Sequence, residues 1–152
     1  MASLAIDPSN VRVAIVDDHE AVRLGFAGMC AKSDLELVGE AATVRELISK
    51  INGLECQVVV MDLSLADGSL VAENVSQLIA AGSAVLVYSI ADKANLMRLA
   101  LRAGAVAIVP KSQPLAYLAE IIRLAADGAI INNPETSAMI DADANFKDAN
   151  LS

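Results

Sequence analysis

Tryptophan is absent from this 152-residue chain, and two tyrosines and two phenylalanines bring the aromatic share to only 3%. The apolar share of 55% is therefore built mainly from Val, Ile, Leu and Ala. That is ample for a packed core and excludes disorder over most of the length. Histidine is nearly lacking too. His19 is the only one, so no His/Cys zinc set can form. Cys30 and Cys56 are far apart and have no CxxC context. Reduced, buried thiols are the plain reading, and a redox or metal role is the alternative. Cations are in the minority, 11 against 19 acidic residues, for a net charge of −8 and a pI of about 4.5. Such a chain repels nucleic acid unless a local basic patch intervenes, because duplex binding rests on neutralising phosphates. No apolar run is long enough to span a bilayer, and neither end reads as a signal peptide. The expectation is one cytoplasmic domain with no membrane contact.

What is present is an alternation. Strand-like runs fall at Val11–Val16, Leu35–Ala41, Val58–Asp62, Ala84–Ser89 and Val106–Lys111. Helical patterns lie between them. Val22, Phe26, Met29 and Cys30 share one apolar face, and Val44, Leu47, Ile48 and Ile51 share the next. Thr43 and Glu46 open that second helix with capping-box spacing. Val71, Val75, Leu78 and Ile79 form a third face closed by Gly82, and Leu96, Leu99, Ala100 and Ala103 a fourth closed by Gly104. Leu115, Leu118, Ile121 and Ile122 form a fifth, opened by Pro114 and closed by Gly128. Successive βα units imply a doubly wound parallel sheet with helices on both faces. The flavodoxin-like (βα)5 order 2-1-3-4-5 suits this number of units. One domain is expected over 1–128. The stretch 129–152 is polar and acidic, and reads as a linker in which Asn133–Pro134 could cap a short helix.

The strand ends carry the chemistry. Asp17 and Asp18 close VRVAIVDDHE, and Asp62 closes QVVVMDLSL. Ser89 and Lys111 close the last two runs. Ligand sites of open α/β sheets lie just beyond the carboxyl ends of the strands. In the order 2-1-3-4-5 the first and third strands are neighbours, so the three carboxylates converge. Each feature alone has a plainer reading. An acidic pair is often a solvated loop, and a lone Asp can be a helix cap. His19 reads as a surface residue beside the site. Lys93, Arg98 and Arg102 read as a solvated face or a partner surface. Together, three clustered carboxylates need a counter-ion. Mg²⁺ suits them because it takes oxygen ligands and keeps waters. A carboxylate can also attack phosphorus, and such transfer asks mainly for positioning and charge neutralisation.

VRVAIVDDHEAVR, VVVMDLSLADGS, VLVYSI and AGAVAIVPKS resemble the receiver domains of bacterial two-component response regulators. The DDH opening and the DLSLADGS segment are most similar to the LuxR/NarL-type branch. The resemblance covers about residues 11–127 and implies roles. Asp62 accepts a phosphoryl group from the phosphohistidine of a sensor histidine kinase. Asp18 holds Mg²⁺ directly, Asp17 mostly through water, and the backbone carbonyl of Ser64 completes the protein ligands. Ser89 is the switch hydroxyl, and Lys111 pairs with the phosphoryl group. The output is transcriptional, through a helix-turn-helix domain beyond Ser152 that the closing KDANLS foreshadows. This chain alone is then expected not to bind DNA, while a homodimer remains open. Chemistry is limited to self-phosphorylation, so the chain is not read as an enzyme.

Four positions depart from the pattern. Ile108 stands where Tyr or Phe is usual, Ile90 where a small residue is usual, Ser112 where Pro often follows the lysine, and Ala66 for a frequent Pro. A cis Lys111–Ser112 bond would cost about 2.5–4 kcal/mol, so trans is expected. Ile90 and Ile108 keep a second reading open, a pseudo-receiver that signals by binding without phosphorylation. A dehalogenase-type phosphatase is a third. It needs a second Asp two positions beyond the nucleophile, and Ser64 is there instead.

Overall fold

A computed structural model describes residues 10–90 and 93–128. Five strands alternate with five helices: β1 Val11–Val16, α1 Glu20–Ala31, β2 Leu35–Ala41, α2 Val44–Ile51, β3 Val58–Met61, α3 Val71–Ala80, β4 Ala84–Ser89, α4 Ala94–Ala103, β5 Ala107–Pro110 and α5 Leu115–Ala126. The strands form one parallel sheet in the order β2-β1-β3-β4-β5. This is the flavodoxin-like arrangement expected from the alternation. The expected short helix at Asn133–Pro134 and the rest of 129–152 lie outside the described residues.

The central strands are apolar on both faces because both faces are covered. In β3, Val59 and Met61 pack into the layer of α2, α3 and α4. Val58 and Val60 pack into the layer of α1 and α5. The two-residue period of a strand makes this division. Phe26 and Cys30 anchor α1, while Leu118, Ile121 and Ile122 anchor α5. Thr43 caps α2, its hydroxyl oxygen accepting from the Glu46 backbone N–H at 3.1 Å. The β1–β2 register shifts between Val13 and Ala14, opposite Leu37 and Gly39. A Cβ on Gly39 would stand 2.9 Å from Ile51 Cγ2, so α2 rests directly on that backbone. Gly104 ends α4 with φ +117°, and a Cβ there would meet Ile79 Cδ1 at 2.7 Å. Only glycine satisfies both conditions.

Four expectations need correction. β3 stops at Met61 rather than Asp62, and β5 spans Ala107–Pro110 rather than Val106–Lys111. The flanking residues still make ladder-like bonds: Asp62 N–H donates to Val16 O at 3.0 Å, Val106 N–H to Val85 O at 2.8 Å and Lys111 N–H to Ser89 O at 2.8 Å. On α4, Ala100 is buried and Leu96 and Ala103 pack against the core as expected, but Leu99 is exposed and Met97 is buried in its place. On α3, Ile79 is likewise exposed, while Val71, Val75 and Leu78 are buried as expected.

Candidate functional site

The carboxyl ends of β1, β3, β4 and β5 meet at one spot. Asp17 follows β1, its N–H tied to Ala41 O at 3.0 Å. Asp62 follows β3. Both are buried, as is Ser89 at the end of β4. Asp62 Oδ1 accepts from the Ser89 hydroxyl at 3.1 Å and from the Leu63 backbone N–H at 2.8 Å. Lys111 Nζ lies 2.9 Å from Asp17 Oδ2 and 3.5 Å from Asp62 Oδ2. A pocket of about 180 Å³ opens over this cluster, lined by His19, Asp62, Ser64, Ser89, Ile90, Lys93 and Lys111.

Asp17 and Asp18 are adjacent in sequence but differently served. Asp17 Oδ1 accepts from the His19 backbone N–H at 2.9 Å and faces His19 Nδ1 at 3.0 Å, while Oδ2 pairs with Lys111. Its carboxylate is satisfied within the protein. Asp18 Oδ1 is buried and has no hydrogen-bond partner, although His19 Nδ1 lies 3.1 Å away. An unpaired buried carboxylate oxygen costs desolvation energy that a cation would recover. Ligand atoms of Asp17, Asp18, His19 and Asp62 all lie within 4.8 Å of one another. An oxygen-rich acidic set of this kind fits Mg²⁺.

Burial works against the Lys111 ammonium, but its hydrogen bond to Asp17 and the charges of Asp17 and Asp62 more than offset it. The pKa of Lys111 is raised, so it stays cationic at neutral pH. Its Nζ also sits 6.0 Å from the centroid of the Tyr88 ring.

Of the residues singled out from the sequence, Asp17, Asp18, Asp62, Ser89 and Lys111 converge. Ser64 sits at the mouth of the pocket and is exposed. Ile90 lines the pocket while 64% exposed. Ile108 is instead buried in the α2–α3–α4 layer. No peptide bond among the described residues is cis, so Lys111–Ser112 is trans as expected. Four contributors escaped the sequence reading. His19 is exposed beside the site as expected, but its Nδ1 also reaches the Asp17 and Asp18 carboxylates. Arg23 donates to the Asp17 carbonyl oxygen at 2.6 Å. Tyr88 borders Lys111. Lys93 reaches Ser64 Oγ at 2.8 Å. The Tyr88 and Lys93 contacts join segments more than twenty residues apart, which no local pattern announces.

The profile of the response regulator receiver domain matches residues 13–123. The transcriptional regulatory protein UhpA of Salmonella typhimurium is 33% identical over 133 residues, which span 87% of this chain and 67% of that protein. The response regulator protein VraR of Staphylococcus aureus is 29% identical over 128 residues, 82% of this chain and 61% of the relative. The chain thus spans about two thirds or less of the length of these relatives. Among solved structures, a LuxR-family two-component response regulator from Aurantimonas sp. superposes with a TM-score of 0.76 at 25% identity, covering 89% of this chain and 98% of that one. Sheet order, acidic cluster and sequence agree, and the chain belongs to the response regulator receiver domain family.

Proposed function

We propose that this chain is the phosphoacceptor module of a transcription-regulating two-component response regulator, and that Asp62 takes the phosphoryl group. The observation that carries this reading is the setting of Asp62. Its carboxylate is buried between the Ser89 hydroxyl and Lys111, with the unpartnered Asp18 oxygen beside it. In the transfer, a carboxylate oxygen of Asp62 attacks phosphorus, the donor's P–N bond breaks as the new P–O bond forms, and the departing imidazole takes a proton. Lys111 neutralises the phosphoryl oxygens, and Ser89 donates to one of them. Asp18, Asp62 and the Ser64 carbonyl would hold Mg²⁺, with Asp17 acting through water. When bound, the ion supplies charge neutralisation for the carboxylates and the phosphoryl group.

The donor is a sensor histidine kinase. Receiver domains are generally signalling rather than enzymatic domains, and here the chemistry is confined to the chain's own aspartate. Residues 1–128 form the receiver, and 129–152 lead toward an output domain, in keeping with the longer relatives. No described helix is long and apolar enough to cross a membrane.

The test is intact mass after incubation with acetyl phosphate and Mg²⁺. One added phosphoryl group, labile to hydroxylamine and absent in Asp62→Asn, supports the reading. Persistent labelling of the Asn variant refutes it. Buried Ile108, only 2% exposed, favours a second reading. Its branched side chain cannot swing in and out as an aromatic ring does. A parent protein that binds its partner equally well before and after acetyl phosphate treatment would be a pseudo-receiver.

A further inference from the structure

Lys93 lines the same pocket as Lys111 but from the opposite connection, between β4 and α4. It comes just before α4, and its backbone is not helical. Its ammonium crosses to the β3–α3 connection and donates to Ser64 Oγ at 2.8 Å. The two lysines are held very differently. Lys111 is locked between two carboxylates, with 16% of its side chain exposed. Lys93 is exposed, and among the described residues its recorded partner is a neutral hydroxyl. Such a bond is weak enough to exchange for an anion.

Charge balance calls for that exchange. Phosphorylation removes the Asp62 carboxylate charge and brings close to two negative charges on the phosphoryl group. With Asp17 and Asp18, that is about one negative charge more than a divalent cation and Lys111 supply. We propose that Lys93 is a second phosphoryl-binding cation, which leaves Ser64 Oγ to pair with the phosphoryl group on Asp62. It rests on the reading of Asp62 as phosphoacceptor. It adds a residue from the β4–α4 connection to the group that senses the phosphoryl charge, and so ties the start of α4 to that charge.

The test is a titration of the 152-residue chain with beryllofluoride in the presence of Mg²⁺, following the thermal midpoint. Lys93→Gln should raise the half-saturating concentration about three- to five-fold, the size expected for one partly screened charge. Lys93→Arg should restore binding to within about two-fold of the parent, because charge rather than shape is required. Ser64→Ala, which releases the ammonium, should bind no more weakly than the parent. A Lys93→Gln variant that titrates like the parent overturns the proposal. So does Lys93→Arg as weak as Lys93→Gln, since charge would then be irrelevant. Ser64→Ala weakened as much as Lys93→Gln also overturns it, because the Lys93–Ser64 bridge would then matter as a strap. Failure of the underlying reading looks different. In that case the parent neither responds to beryllofluoride nor gains mass from acetyl phosphate.

Discussion

Met61 and Asp62 are neighbours in the chain and belong to different regimes. Met61 is wholly buried in the apolar layer beneath α2, α3 and α4. Asp62 is almost as buried, but its environment is an ammonium, a hydroxyl and other carboxylates. The same step occurs from Val16 to Asp17 and from Pro110 to Lys111. In the strand bodies, burial itself is the stabilising term, and any apolar residue of similar volume would serve. At the strand ends burial is a cost, because clustered carboxylates repel one another and lose water. The sheet interior holds the fold together, and its carboxyl edge holds charge against its own tendency to disperse. Changes one residue apart should therefore separate stability from phosphoryl uptake.

The widest separation is expected at Asp62. Asp62→Asn should abolish the phosphoryl mass increment while leaving the thermal midpoint equal to or above that of the parent. A large fall in the midpoint would mean that the edge also holds the fold. Next comes Met61→Ala, which should cost about 2–5 kcal/mol in urea unfolding. The folded fraction should still take up phosphate from acetyl phosphate. Complete loss of uptake in that variant would break the contrast.

Alkaline titration probes the interior from another side. Burial pushes the Cys30 thiol from 9.0 up to about 11. Between those values the unfolded chain releases a proton that the folded chain keeps, so stability falls as pH rises from about 9 toward 11. Lys111 adds a loss of the same sign at higher pH, because its folded pKa is raised and its contribution disappears once pH passes that pKa. Urea unfolding at pH 8 and pH 10 should differ by about 1 kcal/mol on account of Cys30. Cys30→Ala should shrink that difference, and an undiminished drop would place its source elsewhere.

Smaller effects are expected at the edge. Asp18→Ala removes one of the clustered carboxylates, so the metal-free midpoint should rise by roughly 2–4 °C. Its response to added Mg²⁺ should vanish. An unchanged Mg²⁺ response would remove Asp18 from the metal site. Ile90 is the mildest case. It lines the pocket and is largely exposed, so Ile90→Ala should leave stability within about 0.5 kcal/mol. Labelling by acetyl phosphate should quicken about two-fold if the side chain narrows the approach to Asp62, an increase worth roughly 0.4 kcal/mol of barrier. Equal rates would show that the opening is wide enough already.

Most of this architecture was legible in the residues. Runs of β-branched residues marked the strands, Thr43 and Glu46 marked a helix start, and Gly104 marked a helix end. These are local signals, and the chain within a few residues decides them. The convergence of Asp17, Asp18, Asp62, Ser89 and Lys111 was legible too, because the alternation implies a parallel sheet, the order 2-1-3-4-5 suits five units, and each polar residue lies at a strand end. The edge of the α4 face was not. Leu96, Ala100 and Ala103 pack inward as their spacing suggests, but Met97 rather than Leu99 completes the buried stripe. The choice depends on how α4 seats in the layer that Met97 shares with Ile108. The Lys93–Ser64 bond and the pairing of Lys111 with both Asp17 and Asp62 also needed the folded chain. The sequence by itself determined the elements, their order and the chemical types at the strand ends, since periodicity and turn residues act over short range. Only the tertiary structure decided which oxygen is satisfied and which is left open, because that depends on ångström distances between segments tens of residues apart.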